Sequence, residues 1–196
     1  MMVIGITGGL ASGKSTLARM FLRPGIVHFD ADKAVHRLLS ADPETIRAIA
    51  EIFPKAYLAG RIDRRRLGEL VSKNSTALSK LEEVLHPAVR RAEIEAIHRA
   101  TRQRRKALLL DVPLLFETGA DALCDVTIAA AAPEPSRRRR ALLRPHMTAE
   151  KYTRLVAHQY TEETRLERAD IVIPTCLGKG FTRKLVTLWL REFGLR

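Results

Sequence analysis

Gly8-Gly9-Leu10-Ala11-Ser12-Gly13-Lys14-Ser15 fits the pattern G-x-x-x-x-G-K-[ST], and each fixed residue type has a chemical reason to stand at that spacing. Glycines let successive backbone N–H groups turn toward phosphate oxygens, and a helix starting just after them adds the positive potential of its N-terminus. Lys14 has the reach for the β and γ oxygens of a triphosphate and Ser15 offers a hydroxyl to Mg²⁺, while Gly8, Gly9, Ala11, Ser12, Gly13 and Thr16 are expected to line the cradle. The plain alternative is a glycine turn with no ligand, but an apolar run precedes the motif and a helical pattern follows it, which is where a phosphate loop must sit.

Such a loop binds a nucleotide without saying where its terminal phosphate goes. His28-Phe29-Asp30-Ala31-Asp32 ends the second apolar run with two carboxylates, and in an open parallel sheet the carboxyl ends of the strands line the ligand crevice. A carboxylate there can orient an attacking hydroxyl or accept its proton, which suits phosphoryl transfer to an alcohol. One of the two is expected instead to cap the helix beginning near Lys33. Asp111, at the end of a later run, either meets a magnesium shell through water or caps the next turn.

Arg137, Arg140 and Arg144 recur at three and four residues, so a helix from Pro135 onward would put them on one face, while Arg138 and Arg139 point elsewhere. That face either closes over the triphosphate as a lid of about residues 137–150, hinged at Pro145-His146, or is a solvated basic surface.

The elements that must position these groups are legible as apolar runs alternating with helical patterns, the mark of βαβ units around a parallel sheet. Val3–Thr7, Ile26–Phe29, Ala107–Leu110, Val126–Ala129 and Ile171–Ile173 are five strand candidates for one open sheet, with a helix from Lys14 to Leu22. Strand signals vanish from about 40 to 106, where Asp42, Asp63 and Ser75 offer helix caps and Leu78, Leu81 and Leu85 mark an apolar face. With no Gly/Ser/Pro-rich linker at its borders, this block reads as a helical insertion in a single domain spanning 1–196.

Composition bounds the rest. The 196 residues are 46% hydrophobic and 29% charged, as in ordinary globular proteins, and long enough to bury a core without disulfides or a structural metal. Cys124 and Cys176 lack metal-ligand spacing and read as reduced thiols; with neither a signal peptide nor a membrane-length apolar run, a cytoplasmic protein is expected. A net charge of +12 favours polyanionic partners, either nucleic acid or a nucleotide with a second phosphate-bearing substrate. Aromatics at 5% are too sparse for base-stacking platforms.

The phosphate loop, Asp30-Ala31-Asp32, Gly60-Arg61-Ile62-Asp63-Arg64, His86-Pro87, Asp111-Val112-Pro113-Leu114-Leu115-Phe116-Glu117, Arg140, Arg144, Gln159 and Ala169-Asp170 together resemble the dephospho-CoA kinases. The resemblance runs over most of the chain and implies an α/β phosphate-loop fold with a five-stranded parallel sheet, a helical substrate insertion and a lid. It implies transfer of the ATP γ-phosphate, with Mg²⁺, to the ribose 3′-hydroxyl of dephospho-CoA, the last step of coenzyme A synthesis. It makes Asp32 the preferred base, with Asp30 in reserve, and gives Lys14, Arg140 and Arg144 catalytic roles. Ser15 and Asp111 would serve the metal, and Thr7, Asp30, Asp32, Arg64, His86, Leu114, Phe116 and Glu117 the acceptor. No specific nucleic acid and no membrane are expected as partners.

The sequence departs from the family where Asn-x-Gly is usual after the last strand. Ile173-Pro174-Thr175-Cys176-Leu177-Gly178 stands there instead, leaving the adenine contacts open, and Arg137 replaces a common Gln. The rivals are another small-molecule kinase of the same fold, such as a nucleoside monophosphate or shikimate kinase, and a nucleic-acid-binding ATPase, for which only the charge argues.

Overall fold

The computed structural model describes residues 1–72 and 74–195. The chain divides into two compact units, Met1–Phe29 with Ile97–Arg196, and Asp30–Ala96.

The first unit is built on a five-stranded sheet in the order β2-β5-β1-β6-β7, where β1 is Met2–Thr7, β2 Ile26–Asp30, β5 Ala107–Asp111, β6 Val126–Ala131 and β7 Ile171–Pro174. β1 pairs in parallel with β5 and β6, and β6 with β7, aligning Ile4 with Leu109, Ile6 with Ile128, and Ile128 with Ile171. Helices on both faces of a parallel sheet require strands that are apolar throughout, and β5 is buried at all of its five positions. Ile4, Ile6, Leu109, Ile128 and Ile173 pack against Leu17 and Phe21 of α1 (Lys14–Phe21) and Val186 and Leu190 of α9 (Lys179–Glu192). Because neighbouring strands run the same way, β1, β5, β6 and β7 deliver Thr7, Asp111, Ala131 and Pro174 to one edge of the sheet, where α/β folds place their ligands. All five strands expected from the apolar runs are present.

The rest of this unit holds α6 (Glu134–Leu142), α7 (Ala149–Ala157) and α8 (Glu162–Arg168). Thr148 and Thr161 cap the last two by accepting from Lys151 and Thr164 N–H groups.

The second unit holds α2 (Ala31–Ala41), α3 (Pro43–Ile52), α4 (Arg64–Val71) and most of α5 (Ser75–Arg102), around Leu39, Ile49, Phe53, Ile62, Leu67 and Leu81. Asp42 and Asp63 cap α3 and α4 as their types suggest. Three expectations are corrected here. Asn74, not Ser75, caps α5, its side-chain carbonyl accepting from Ala77 N at 3.0 Å. His86-Pro87 reads in the sequence as a helix junction, yet Pro87 lies exposed inside one 28-residue helix, which continues with buried Leu81 and Ala88 on either side of the missing N–H bond. A hairpin of β3 (Tyr57–Leu58) and β4 (Arg61–Ile62) also occurs where no strand was expected. It turns through Ala59 and Gly60, both at positive φ, the geometry of two-residue hairpin loops.

Among the described residues no helix is long and apolar enough to cross a membrane.

Candidate active site at the phosphate loop

The loop between β1 and α1 is shaped by backbone strain and close approach. Ala11 has a φ of +61° and Gly13 of +96°; a non-glycine residue in the left-handed region costs about 1–2 kcal/mol, so Ala11 stores strain within the motif. α1 begins without a side-chain cap, its first bonds running from Thr16 and Leu17 N–H to the Gly13 carbonyl. The earlier N–H groups of this turn therefore lie outside the helix's own bonding and can serve an anion. A Cβ on Gly8 would collide with Ser12 Oγ and come within 3.0 Å of Ala130 Cβ. Ser12 Oγ is itself buried with no hydrogen-bond partner among the described residues, an orphan hydroxyl in a loop whose residue types suit phosphate.

Lys14 Nζ is paired with Asp111 Oδ1 at the end of β5. The other carboxylate oxygen, Oδ2, lies 3.2 Å from His28 Nε2. Burial pushes the Asp111 carboxyl up, but the His28 hydrogen bond and the charge and hydrogen bond of Lys14 outweigh it and hold the group below its ordinary value. Asp111 is thus an ionised acid gripped from two sides and not the cap of the next turn. Together with the exposed Ser15 hydroxyl it forms a set of hard oxygen donors, and such a set suits Mg²⁺, which keeps waters and substrate phosphates in its shell.

Beside the loop stands a buried ionic cluster. Arg165, 1% exposed, donates from Nη1 to Glu162 Oε2 at 2.9 Å and from Nη2 to the Tyr160 carbonyl at 2.7 Å. Burial lowers the Arg165 pKa, opposed by the charges of Glu162 and Glu117. Arg137 Nη2 pairs with Glu162 Oε2 at 3.7 Å, and its Nε donates to the Ala132 carbonyl at 3.0 Å. These guanidiniums fill the space beside Gly9: a Cβ there would lie 2.6 Å from Arg137 Nη1 and 3.2 Å from Arg165 Nη1. Gln159 Oε1 accepts from Leu10 N at 2.9 Å, fastening the loop to the segment between α7 and α8.

On the other side of the loop is a cavity of about 320 Å³ lined by Gly13, Thr16, Met20, Arg140, Thr175 and Thr182, among others, a size and mixed lining suited to a small ligand. Thr175 Oγ1 donates to the Ser12 carbonyl and lies 3.0 Å from the Ala131 carbonyl. Sequence reasoning missed this cavity and Thr175. The available signal was that Thr175 occupies the stretch where the resemblance fails.

The arginine face is corrected in part. Arg140 reaches the loop, but Arg137 is buried as a structural ion pair, and Arg144 lies past the end of α6 in an exposed turn. The turn contains His146 at a φ of +60°. Thr7 is fully buried and donates to the Pro113 carbonyl at 3.1 Å, which commits its hydroxyl to the fold. Phe116 is buried beneath the Arg168 guanidinium, 5.0 Å from its ring centroid. Glu117 Oε1 accepts from Tyr160 N at 2.8 Å and pairs with Arg165, while Leu114 is half-buried.

In the second unit the two carboxylates separate in role. Asp30 caps α2, Oδ1 accepting from Lys33 N at 3.1 Å and Oδ2 pairing with Lys33 Nζ at 3.1 Å. Asp32, in the first turn, is exposed, and its carboxylate has no partner among the described residues. Arg64 and His86 are exposed, while Arg91 is spent on Glu44 at 3.2 Å.

The family model described as dephospho-CoA kinase matches residues 2–176. The chain belongs to the dephospho-CoA kinase family. A dephospho-CoA kinase of Agrobacterium fabrum is 38% identical over 195 residues, covering 99% of each chain, and one of Rhodospirillum rubrum is 43% identical over 178 residues, covering 90% of this chain and 84% of that one. TT1252 from Thermus thermophilus superposes with a TM-score of 0.81 at 33% identity, covering 97% of both chains. A shikimate kinase from Bacteroides thetaiotaomicron shares the fold, with a TM-score of 0.55 at 13% identity and 99% of each chain covered. This member of the dephospho-CoA kinase family joins its phosphate loop to the turn after β7 through Thr175 and Arg140.

Proposed function

We propose that the chain transfers the γ-phosphoryl group of ATP to the ribose 3′-hydroxyl of dephospho-CoA, with Asp32 orienting the hydroxyl and taking its proton. As a dephospho-CoA kinase the chain is an ATP-dependent transferase of coenzyme A synthesis. The observation that carries the reading is the phosphate loop itself: uncapped N–H groups at the start of α1, the orphan Ser12 hydroxyl, and Lys14 paired with Asp111.

Lys14, leaving Asp111, binds the β and γ oxygens, and Arg140 adds positive charge beside them as it builds on the transferring group. Ser15 and, through water, Asp111 would hold Mg²⁺, which when bound neutralises charge on the phosphates. The cavity beside Thr175 and Arg140 takes the adenine ring, since it adjoins the phosphate loop at Gly13 and mixes apolar with polar lining. Arg64 and His86 offer contacts to the acceptor.

Asp32 is preferred to Asp30 because its carboxylate is unengaged and free to turn toward a hydroxyl, whereas both oxygens of Asp30 are oriented by Lys33. A carboxylate is a far weaker base than an alkoxide, so proton transfer comes late in the transition state. Asp32→Asn is expected to lower kcat about 10²-fold or more with nucleotide affinity intact, whereas Asp30→Asn, whose side-chain oxygen still caps α2, stays within about tenfold. Near-normal turnover of Asp32→Asn overturns the assignment.

A further inference from the structure

We propose that His28 is a positioning residue for phosphoryl transfer, holding Oδ2 of Asp111 so that Oδ1 stays turned toward Lys14 and the triphosphate; the inference rests on the reading of Asp111 as part of the nucleotide site.

In the sheet order, β5 lies between β2 and β1. Asp111, at the tip of β5, is therefore reached from one side by His28 of β2 and from the other by Lys14, which follows β1. The Asp111 side chain is 7% exposed, and among the described residues its polar partners are these two groups, one on each oxygen. An ionised carboxylate only accepts, so the His28 nitrogen facing it, Nε2, must carry the proton. His28 is the only polar side chain in the strand run Ile26-Val27-His28-Phe29, and its own side chain is 22% exposed. Strand propensity gives no reason for an imidazole at this position.

The functional consequence follows from what Lys14 must do. Its ammonium rests on Asp111. Binding a triphosphate draws Lys14 to the phosphate oxygens, and a buried carboxylate that loses its cation becomes both costly and free to rotate about its last torsion. The His28 donor remains on Oδ2 through that exchange, so Oδ1 keeps its direction toward the phosphates and toward any water ordered there. Without the donor, both oxygens become available to Lys14, and Asp111 competes more strongly with the nucleotide for the same ammonium. Groups that orient a ligating carboxylate in this way typically change affinity or activity by about 10–100-fold when removed.

Replacing His28 by Leu removes the donor from a strand that tolerates aliphatic residues, and His28→Gln keeps a donor on a side chain of similar length. We expect His28→Leu to lower kcat/KM for ATP about tenfold or more, leaving KM for dephospho-CoA unchanged, and His28→Gln to recover most of the loss. In an Asp111→Asn background the His28→Leu change should cost little more, because the two act as one unit. A readout independent of turnover is the nitrogen NMR spectrum of the nucleotide-free enzyme, in which the His28 ring should carry its proton on Nε2 and lose that signature in Asp111→Asn. The proposal is overturned by full activity of His28→Leu, by a Gln variant as impaired as Leu, by an undiminished His28→Leu effect in the Asp111→Asn enzyme, or by a proton resident on Nδ1. If Asp111→Asn alone has normal activity, the reading of Asp111 falls and His28 with it. If Asp111→Asn is impaired while His28→Leu is not, only the role of His28 falls.

Discussion

Arg140 Nη2 donates to the Thr175 carbonyl at 3.1 Å. The same guanidinium lies 3.4 Å from the Ser12 carbonyl through Nη1, so one side chain of α6 joins the phosphate loop to the turn after β7. The two Nη groups hold both carbonyls in a fixed planar geometry that the single nitrogen of a lysine does not reproduce. We expect Arg140→Ala to lower kcat about 10²-fold, with KM for ATP rising only severalfold, and Arg140→Lys to resemble Ala more than the parent. Steady-state kinetics at saturating acceptor measures this; equal changes in kcat and in ATP affinity would mean that Arg140 contributes ground-state binding alone.

Gly9 has no room for a side chain, since Arg137 Nη1 would lie 2.6 Å from a Cβ there. The guanidinium cannot simply swing away, because it is buried and bonded to the Ala132 carbonyl and Glu162. Gly9→Ala is expected to cost about 1–3 kcal/mol through overpacking, seen as a Tm several degrees lower, together with weaker ATP binding. Combining it with Arg137→Gln, which shortens the obstructing side chain, should return part of the loss. A Gly9→Ala enzyme with unchanged Tm and ATP affinity contradicts this packing.

Asp170 Oδ2 accepts from Thr127 N at 2.8 Å and from Thr127 Oγ1 at 2.7 Å, joining the start of β7 to β6. The Thr127 side-chain bond, with the backbone bond behind it, holds this carboxyl below its ordinary value. A folded-state pKa below the unfolded one adds stability above the unfolded value of about 3.9 and loses it as pH falls through the folded value. Stability is therefore expected to drop on acidification below about pH 4, and part of that drop should vanish in Asp170→Asn. Urea midpoints from pH 6 down to pH 3 test this; parallel curves for the two proteins would sink it.

The sheet was legible because parallel strands buried on both faces must be apolar throughout, and runs such as Ala107-Leu108-Leu109-Leu110 announce themselves. The phosphate loop was legible because its glycines and Lys14 are demanded by one local geometry. The hairpin at Tyr57–Ile62 was not, since two-residue strands leave no alternation to read. Nor was which of Asp30 and Asp32 caps α2, because both residue types cap helices and only the Lys33 contacts distinguish them. Arg137 and Arg140 look alike in sequence and share a helix face. Burial against Glu162 made one a structural ion, and the other reaches the Ser12 and Thr175 carbonyls beside the phosphate loop. Thr175 could not be read because its partners, the Ser12 and Ala131 carbonyls, are backbone groups more than 40 residues away.

The most direct measurement is ADP release from ATP and Mg²⁺ with dephospho-CoA, AMP, adenosine, shikimate or no acceptor, with the position of the new phosphate read by NMR. Turnover with dephospho-CoA alone, yielding a ribose 3′-phosphate and abolished by Lys14→Ala, is the predicted result. Preferential turnover of shikimate or AMP, or acceptor-free hydrolysis stimulated by DNA, would contradict it.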